Sequence, residues 1–118
     1  MKKLATLLKV LRANYDERLY EMAEKLGCTS AFLSAVENGR RNLTDGMVAK
    51  IAEIYNLTEE ERIELEIAVS ISQKQIKINL EEATQKQAEL AHIFAKSLMD
   101  MKEEEVEKIT AEILAHVV

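Results

Sequence analysis

Four features of the sequence carry reactive or charged side chains: one cysteine, two histidines, a run of glutamates and a pair of arginines. A single cysteine, Cys28, excludes an intrachain disulfide and a cysteine-based metal site. We interpret Cys28 as a small core residue in a turn and not as a redox sensor. His92 and His116 stand without companion ligands, so we expect no metal site.

Catalytic chemistry has little support in the sequence. The glutamates at 103, 104, 105 and 107 are interpreted as the first turn and solvated face of a helix, because a helix N-terminus favours anions. No glycine-rich phosphate loop or nucleophile elbow occurs. We therefore expect a protein that is not an enzyme and that uses neither a cofactor nor a metal.

The arginine pair, Arg40-Arg41, has two interpretations, a solvated turn or an anion-binding element. The net charge of −5 disfavours a nucleic-acid partner, but the charge is unevenly divided. Residues 1–57 hold nine basic and seven acidic side chains, net +2, and residues 58–118 hold seven and fourteen, net −7. This asymmetry predicts two parts with different partners.

Composition limits the fold class. The 118 residues include no proline, three glycines and 4% aromatics, which together predict an all-α protein. No apolar stretch approaches the ~20 residues that a membrane-spanning helix needs. No signal peptide is recognised, so we expect a soluble, cytoplasmic protein.

Two short helices joined by a tight turn form the most informative region. The first covers about Leu19–Leu26, and Gly27 ends it because glycine adopts the left-handed conformation at little cost. Thr29 can cap the second helix, which Asn38-Gly39 ends. This is the helix-turn-helix arrangement, in which the second helix enters the major groove of DNA.

Three more helices complete the first 69 residues. One covers Lys2–Ala13, and another covers about Gly46–Tyr55. Thr58 begins a capping box that starts the last, which runs to about Val69. The expected apolar face of this last helix consists of Ile63, Ile67 and either Leu65 or Ala68.

The segment Arg18–Asn42 resembles the Cro/CI/Xre (lambda-repressor-like) helix-turn-helix family. The similarity includes Ala23-Glu24-Lys25-Leu26-Gly27, the small residues that open the second helix, and the exit Glu37-Asn38-Gly39-Arg40-Arg41-Asn42. It extends more loosely over about residues 3–69 and implies a five-helix DNA-binding domain. Two departures are Arg18-Leu19, where many members carry Ser or Thr and then Gln, and Leu43, where proline is frequent.

The resemblance implies which residues contact DNA. Small side chains on the second helix permit close approach but no bidentate base contacts, so Arg40, Arg41 or DNA shape must supply much of the specificity. Phe32 is either a core residue or half-exposed against a base. The base-reading candidates are Thr29, Ser30, Ala31, Phe32, Ser34 and Ala35. The phosphate-contacting candidates are Lys9, Arg12, Arg18, Tyr20, Asn38, Arg40, Arg41, Asn42 and Thr44, and Glu37 is expected to pair inside the domain.

Residues 70–118 are interpreted as a dimerisation region. The stretch 75–80 alternates polar and apolar residues, which predicts a short strand that could pair with its own copy. Helices are expected at about 82–99 and 103–117. The alternative is a monomeric extension that packs back on the first domain. The predicted dimerisation residues are Ile76, Ile78, Leu80, Leu90, Phe94, Leu98, Val106, Ile109 and Ile113.

Together these features predict a sequence-specific DNA-binding transcriptional regulator. The expected form is a homodimeric repressor of bacterial or phage type that binds an inverted-repeat operator, including an operator of its own gene. One alternative is an antitoxin-like or host-interaction protein whose C-terminal half binds a protein partner. Another is a regulator that also binds structured RNA.

Overall fold

The computed structural model describes residues 3–117, and this part of the chain contains seven α-helices and one short 3₁₀ helix. The all-α class is therefore confirmed. The chain divides into two compact units, one that ends at Ile76 and one that begins at Lys77. The helices are α1 (Leu4–Asn14), α2 (Leu19–Leu26), α3 (Ser30–Glu37), α4 (Asp45–Ile54), α5 (Glu59–Gln73), α6 (Gln85–Ser97) and α7 (Glu103–Val117), with the 3₁₀ helix at Leu98–Asp100.

The first unit is built around one hydrophobic core to which α1–α5 all contribute. Apolar residues at helical spacing bury one stripe of each helix, and this burial supplies most of the stability of such short helices. Leu43, in the connection between α3 and α4, also lies in this core. The largest fully buried side chains are Leu8, Met22, Leu33, Val36, Ile51 and Leu65.

The orientation of α5 differs from the expectation. Leu65, Ala68 and Val69 are buried, whereas Ile63 and Ile67 remain 47% and 46% exposed. Both sets follow helical spacing, so hydrophobicity alone does not decide which stripe faces the core. Packing against α1 and α4 selects the stripe that contains Leu65. The helix also continues to Gln73, four residues beyond the predicted end.

The predicted strand at 75–80 is wrong, because no strand occurs between residues 3 and 117. Lys74 ends α5 in a left-handed conformation, with φ of 58°, and irregular backbone follows. A strand needs a neighbouring backbone for its hydrogen bonds, and the described chain supplies none to this segment. Ile76, Ile78 and Leu80 are all exposed.

The second unit contains α6, the 3₁₀ helix and α7. Thr84 caps α6 in a reciprocal capping box: its hydroxyl accepts the Gln87 N–H at 3.1 Å, and the Gln87 side chain accepts the Thr84 N–H at 2.9 Å. None of the described residues in these three helices is buried. Their apolar side chains therefore stay in contact with water in the single chain.

Candidate nucleic-acid interface

The turn between α2 and α3 depends on a glycine and a small helix residue. Gly27 has φ of 72°, and the N–H of Cys28 donates to the Ala23 carbonyl at 2.9 Å across this turn. Ala23 is 1% exposed, and its small side chain allows the two helices to approach closely. Both residues therefore fix the angle at which α3 leaves α2.

The N-terminal half of α3 presents small residues to solvent. The hydroxyl of Thr29 accepts the Phe32 N–H at 3.0 Å and caps the helix. Leu33 and Val36 anchor the opposite side of α3 in the core. Of the predicted base-reading residues, Thr29, Ser30 and Ala31 are exposed, and Phe32, Ser34 and Ala35 are half-buried.

The loop that follows α3, residues 38–42, is exposed throughout but is held at both ends. The backbone N–H groups of Arg40 and Arg41 both donate to the Ala35 carbonyl, at 2.8 and 3.3 Å. At the far end the side chain of Leu43 is buried, and its carbonyl accepts a hydrogen bond from Gln73 at 2.9 Å. The two arginines therefore project from a short loop with a defined path.

The side chain of Arg41 lies over the ring of Phe32. Its guanidinium carbon is 5.6 Å from the ring centroid, within the range of a cation–π interaction. Phe32 is half-buried and also packs against the core. The ring of Phe32 therefore has a core contact and an outer contact with Arg41, while contact with a base stays a prediction.

Arg12 corrects one of the predicted phosphate contacts. It is only 9% exposed, and its guanidinium forms a bidentate ion pair with Glu37 at 2.5 and 3.3 Å. Because both groups are buried and satisfy each other, Arg12 is not available to DNA. Glu37 is paired inside the unit, so its charge beside the end of α3 is neutralised.

The other predicted phosphate contacts outside the loop are exposed. Lys9 and Tyr20 are open to solvent on α1 and α2. Arg18 caps α2 only through its backbone, whose N–H donates to Glu21 at 2.9 Å. Its guanidinium has donors only and cannot accept a helix N–H. Thr44 caps α4, since its hydroxyl accepts the Met47 N–H at 3.2 Å.

A polar cluster that the sequence did not predict lies beside α2. Glu17 accepts hydrogen bonds from Lys25 at 2.5 Å and from the Tyr55 hydroxyl at 2.8 Å. Burial raises the pKa of Glu17, but these hydrogen bonds outweigh it and hold the pKa below its ordinary value. Burial and the bond to Glu17 raise the pKa of Tyr55. Tyr15 packs edge-on against Tyr55, with ring centroids 5.1 Å apart.

Lys50 connects α4 to the turn. Its ammonium group donates to the Leu26 carbonyl at 3.1 Å, at the C-terminal end of α2, where the helix dipole favours a cation. Burial raises the pKa of the neighbouring Cys28 thiol, and Lys50 partly opposes this rise. Cys28 packs against the core, which agrees with a structural residue in the turn.

Two features are absent from residues 3–117. No group of three or more His, Cys, Asp or Glu side chains is arranged to hold a metal ion. No helix in this part of the chain is long and apolar enough to cross a membrane.

Comparison with known protein families supports this arrangement. Residues 3–65 match the sequence model of a family described as a helix-turn-helix domain. This region contains α1–α4 and the first half of α5, and therefore the whole candidate interface. No curated protein and no solved structure matches the chain.

Proposed function

Because the chain belongs to the helix-turn-helix domain family, we propose that it is a sequence-specific transcriptional regulator of the Cro/CI/Xre type. Its proposed form is a homodimeric repressor that binds an inverted-repeat operator. The proposed activity is binding and not catalysis. Repression would be steric, because a dimer that covers a promoter excludes other proteins from it.

The observation that carries this proposal is the shape of α3 and its following loop. Thr29, Ser30 and Ala31 are exposed and small, so the helix can approach the floor of a major groove closely. Arg40 and Arg41 follow on a loop anchored at both ends, where cations can contact the DNA. Their charge is not cancelled by Glu37, which pairs with Arg12.

The proposed dimer rests on the second unit and on Ile76, the last residue of the first unit. Seven of the nine predicted dimerisation residues are exposed, and Val106 and Ile109 are half-buried. Apolar side chains on α6 and α7 gain stability when they leave water, at about 25 cal/mol per Å². A second copy is the occupant we propose, because one α3 reads only one half-site and a dimer reads two.

The decisive experiment selects DNA from a pool of randomised duplexes with the full-length chain. We expect an inverted repeat whose half-sites are centred one helical turn apart, about 34–36 Å. Footprinting on the selected sequence then gives the length of the protected site. Unchanged duplex composition after several rounds would contradict sequence-specific binding, and a single half-site without symmetry would contradict the dimer.

A further inference from the structure

Arg40 and Arg41 are chemically identical neighbours, but their side chains make different contacts. Both backbone N–H groups bond to Ala35, so both side chains start from fixed positions at the end of α3. Arg41 then folds back over the ring of Phe32. No hydrogen bond, ion pair or ring contact holds the Arg40 side chain to any residue between 3 and 117.

The position of Phe32 determines which part of α3 the Arg41 side chain lies beside. Phe32 is in the first turn of α3, next to the exposed Ala31 and two residues from Ser30. The guanidinium of Arg41, over the Phe32 ring, therefore lies alongside the half of α3 that faces the groove in the proposed complex.

Stacking also suits the guanidinium to one kind of ligand. A guanidinium over the face of a ring makes no hydrogen bond to it, so its planar fork of N–H donors stays free, and that fork matches the O6 and N7 acceptors of guanine. The small side chains of α3 offer no such fork. The contact with Phe32 restricts the arginine before binding, which lowers the conformational entropy lost in the complex.

We propose that Arg41 reads a guanine in the major groove at the edge of each half-site, and that Phe32 is the positioning residue that holds it there. This inference rests on the proposed DNA-binding function and identifies the residue that supplies its base specificity. Arg40 remains a phosphate contact. The specificity that the small residues of α3 cannot supply thus comes from one arginine outside the helix.

The test uses full-length chains in the duplex selection, with Arg41→Ala and Arg40→Ala as a matched pair. Both variants lose one charge from the same loop. We expect Arg41→Ala to lose the guanine preference at one position per half-site, with ~10–100-fold weaker binding to the selected operator. We expect Arg40→Ala to weaken all duplexes alike and to lower the salt slope by about one unit.

Phe32 is tested with Phe32→Leu, which keeps an apolar side chain against the core but removes the ring. We expect the guanine preference to fall several-fold, while Phe32→Tyr, which keeps the ring face, restores it. Circular dichroism with thermal unfolding reports whether each variant is folded. If Phe32→Leu does not fold, Phe32→Met takes its place, because its flexible side chain also removes the ring while filling the core gap.

Two outcomes overturn the inference in distinguishable ways. If the native chain selects an operator, and Arg41→Ala selects the same operator with unchanged base preference at every position, Arg41 is not a base-reading residue. If the native chain selects no sequence at all, the proposed function fails, and this inference fails with it.

Discussion

The Arg12 guanidinium on α1 and the Glu37 carboxylate at the end of α3 form a buried, bidentate ion pair between residues 25 positions apart. The Arg12 side chain also lies 3.6 Å from the sulfur of Met22 on α2. One arginine therefore contacts both helices of the helix-turn-helix. The pair fixes the C-terminal end of α3, from which the arginine-bearing loop departs.

Breaking this pair should destabilise the first unit. We expect Arg12→Met to cost about 3–5 kcal/mol, because it leaves the Glu37 charge buried without its partner. The double variant Arg12→Met/Glu37→Leu should recover most of this loss, since no unpaired charge remains. Urea unfolding at pH 7 measures both, with Lys9→Met as an exposed control on α1. Equal stability of native chain and Arg12→Met would contradict the buried pair.

Glu17 should make stability depend on pH at the acidic end. Its pKa is lowered in the folded chain, so its stabilisation is complete above its unfolded value of about 4.3 and is lost as pH falls through the folded value. We expect Glu17→Gln to cost about 1–2 kcal/mol at pH 7, and less as the pH falls below about 4. Urea unfolding at pH 7, 4.5 and 3 measures this.

The matched control for Glu17 is Glu24→Gln, because Glu24 is exposed on α2. It should change stability by less than about 0.5 kcal/mol at each pH. A difference between native chain and Glu17→Gln that stays constant from pH 7 to pH 3 would show that the carboxylate charge is not what stabilises the cluster.

Two glycines should respond to alanine with opposite signs. Gly27 has positive φ, and a Cβ there would lie 3.2 Å from the Lys50 ammonium, so Gly27→Ala should cost about 1–2 kcal/mol. Gly46 lies in the first turn of α4, where an added Cβ meets nothing closer than 3.9 Å. Gly46→Ala should therefore stabilise by about 0.5 kcal/mol. Thermal unfolding checks both, and shifts of the same sign would refute the assignment of the turn.

The rotation of α5 makes a prediction about two neighbouring apolar residues. Leu65 is 2% exposed, so Leu65→Ala should cost about 2–5 kcal/mol through lost contacts and a cavity. Ile67 is half exposed, and Ile67→Ala should cost less than about 1 kcal/mol. Urea unfolding of the two variants compares them directly. A larger loss of stability for Ile67→Ala than for Leu65→Ala would place the stripe that contains Ile67 in the core.

Removal of the second unit tests the proposed dimer. We expect a chain that ends at Ile76 to fold as a monomer and to bind the operator more weakly than the full chain. The end point follows α5 and keeps Gln73, whose side chain holds Leu43 and hence the loop. Light scattering and titration of operator DNA compare the two chains. A truncated chain that stays dimeric would show that the first unit, and not the second, holds the dimer.

Local patterns predicted much of this fold, and long-range pairing explains what they missed. The turn at Gly27 and the caps at Thr29 and Thr58 depend on residues within a few positions, so local sequence patterns were sufficient to predict them. The burial of Arg12 depends on Glu37, which no local pattern connects to it. Spacing on α5 allowed two apolar stripes, and only the packed partners distinguish them.

The predicted strand failed for a similar reason. Alternation between 75 and 80 describes side chains, whereas a strand is stabilised by backbone hydrogen bonds to a neighbour. The cluster around Glu17 was missed because it joins three segments, and none of its residues has a distinctive neighbour in sequence. For the interface, a small-residue face and two arginines were visible, but the contact of Arg41 with Phe32 required the fold.

The two sides of α3 carry separate constraints, and this has a consequence for how the protein can change over time. Leu33 and Val36 hold the fold, while Ser30 and Ala31 face solvent and contribute little to the core. Substitutions on the outer side can therefore accumulate at low cost in stability, and in the proposed complex they would change which operator is recognised. The exposed face of α3 can therefore be altered, by natural divergence or by design, while its buried face is retained.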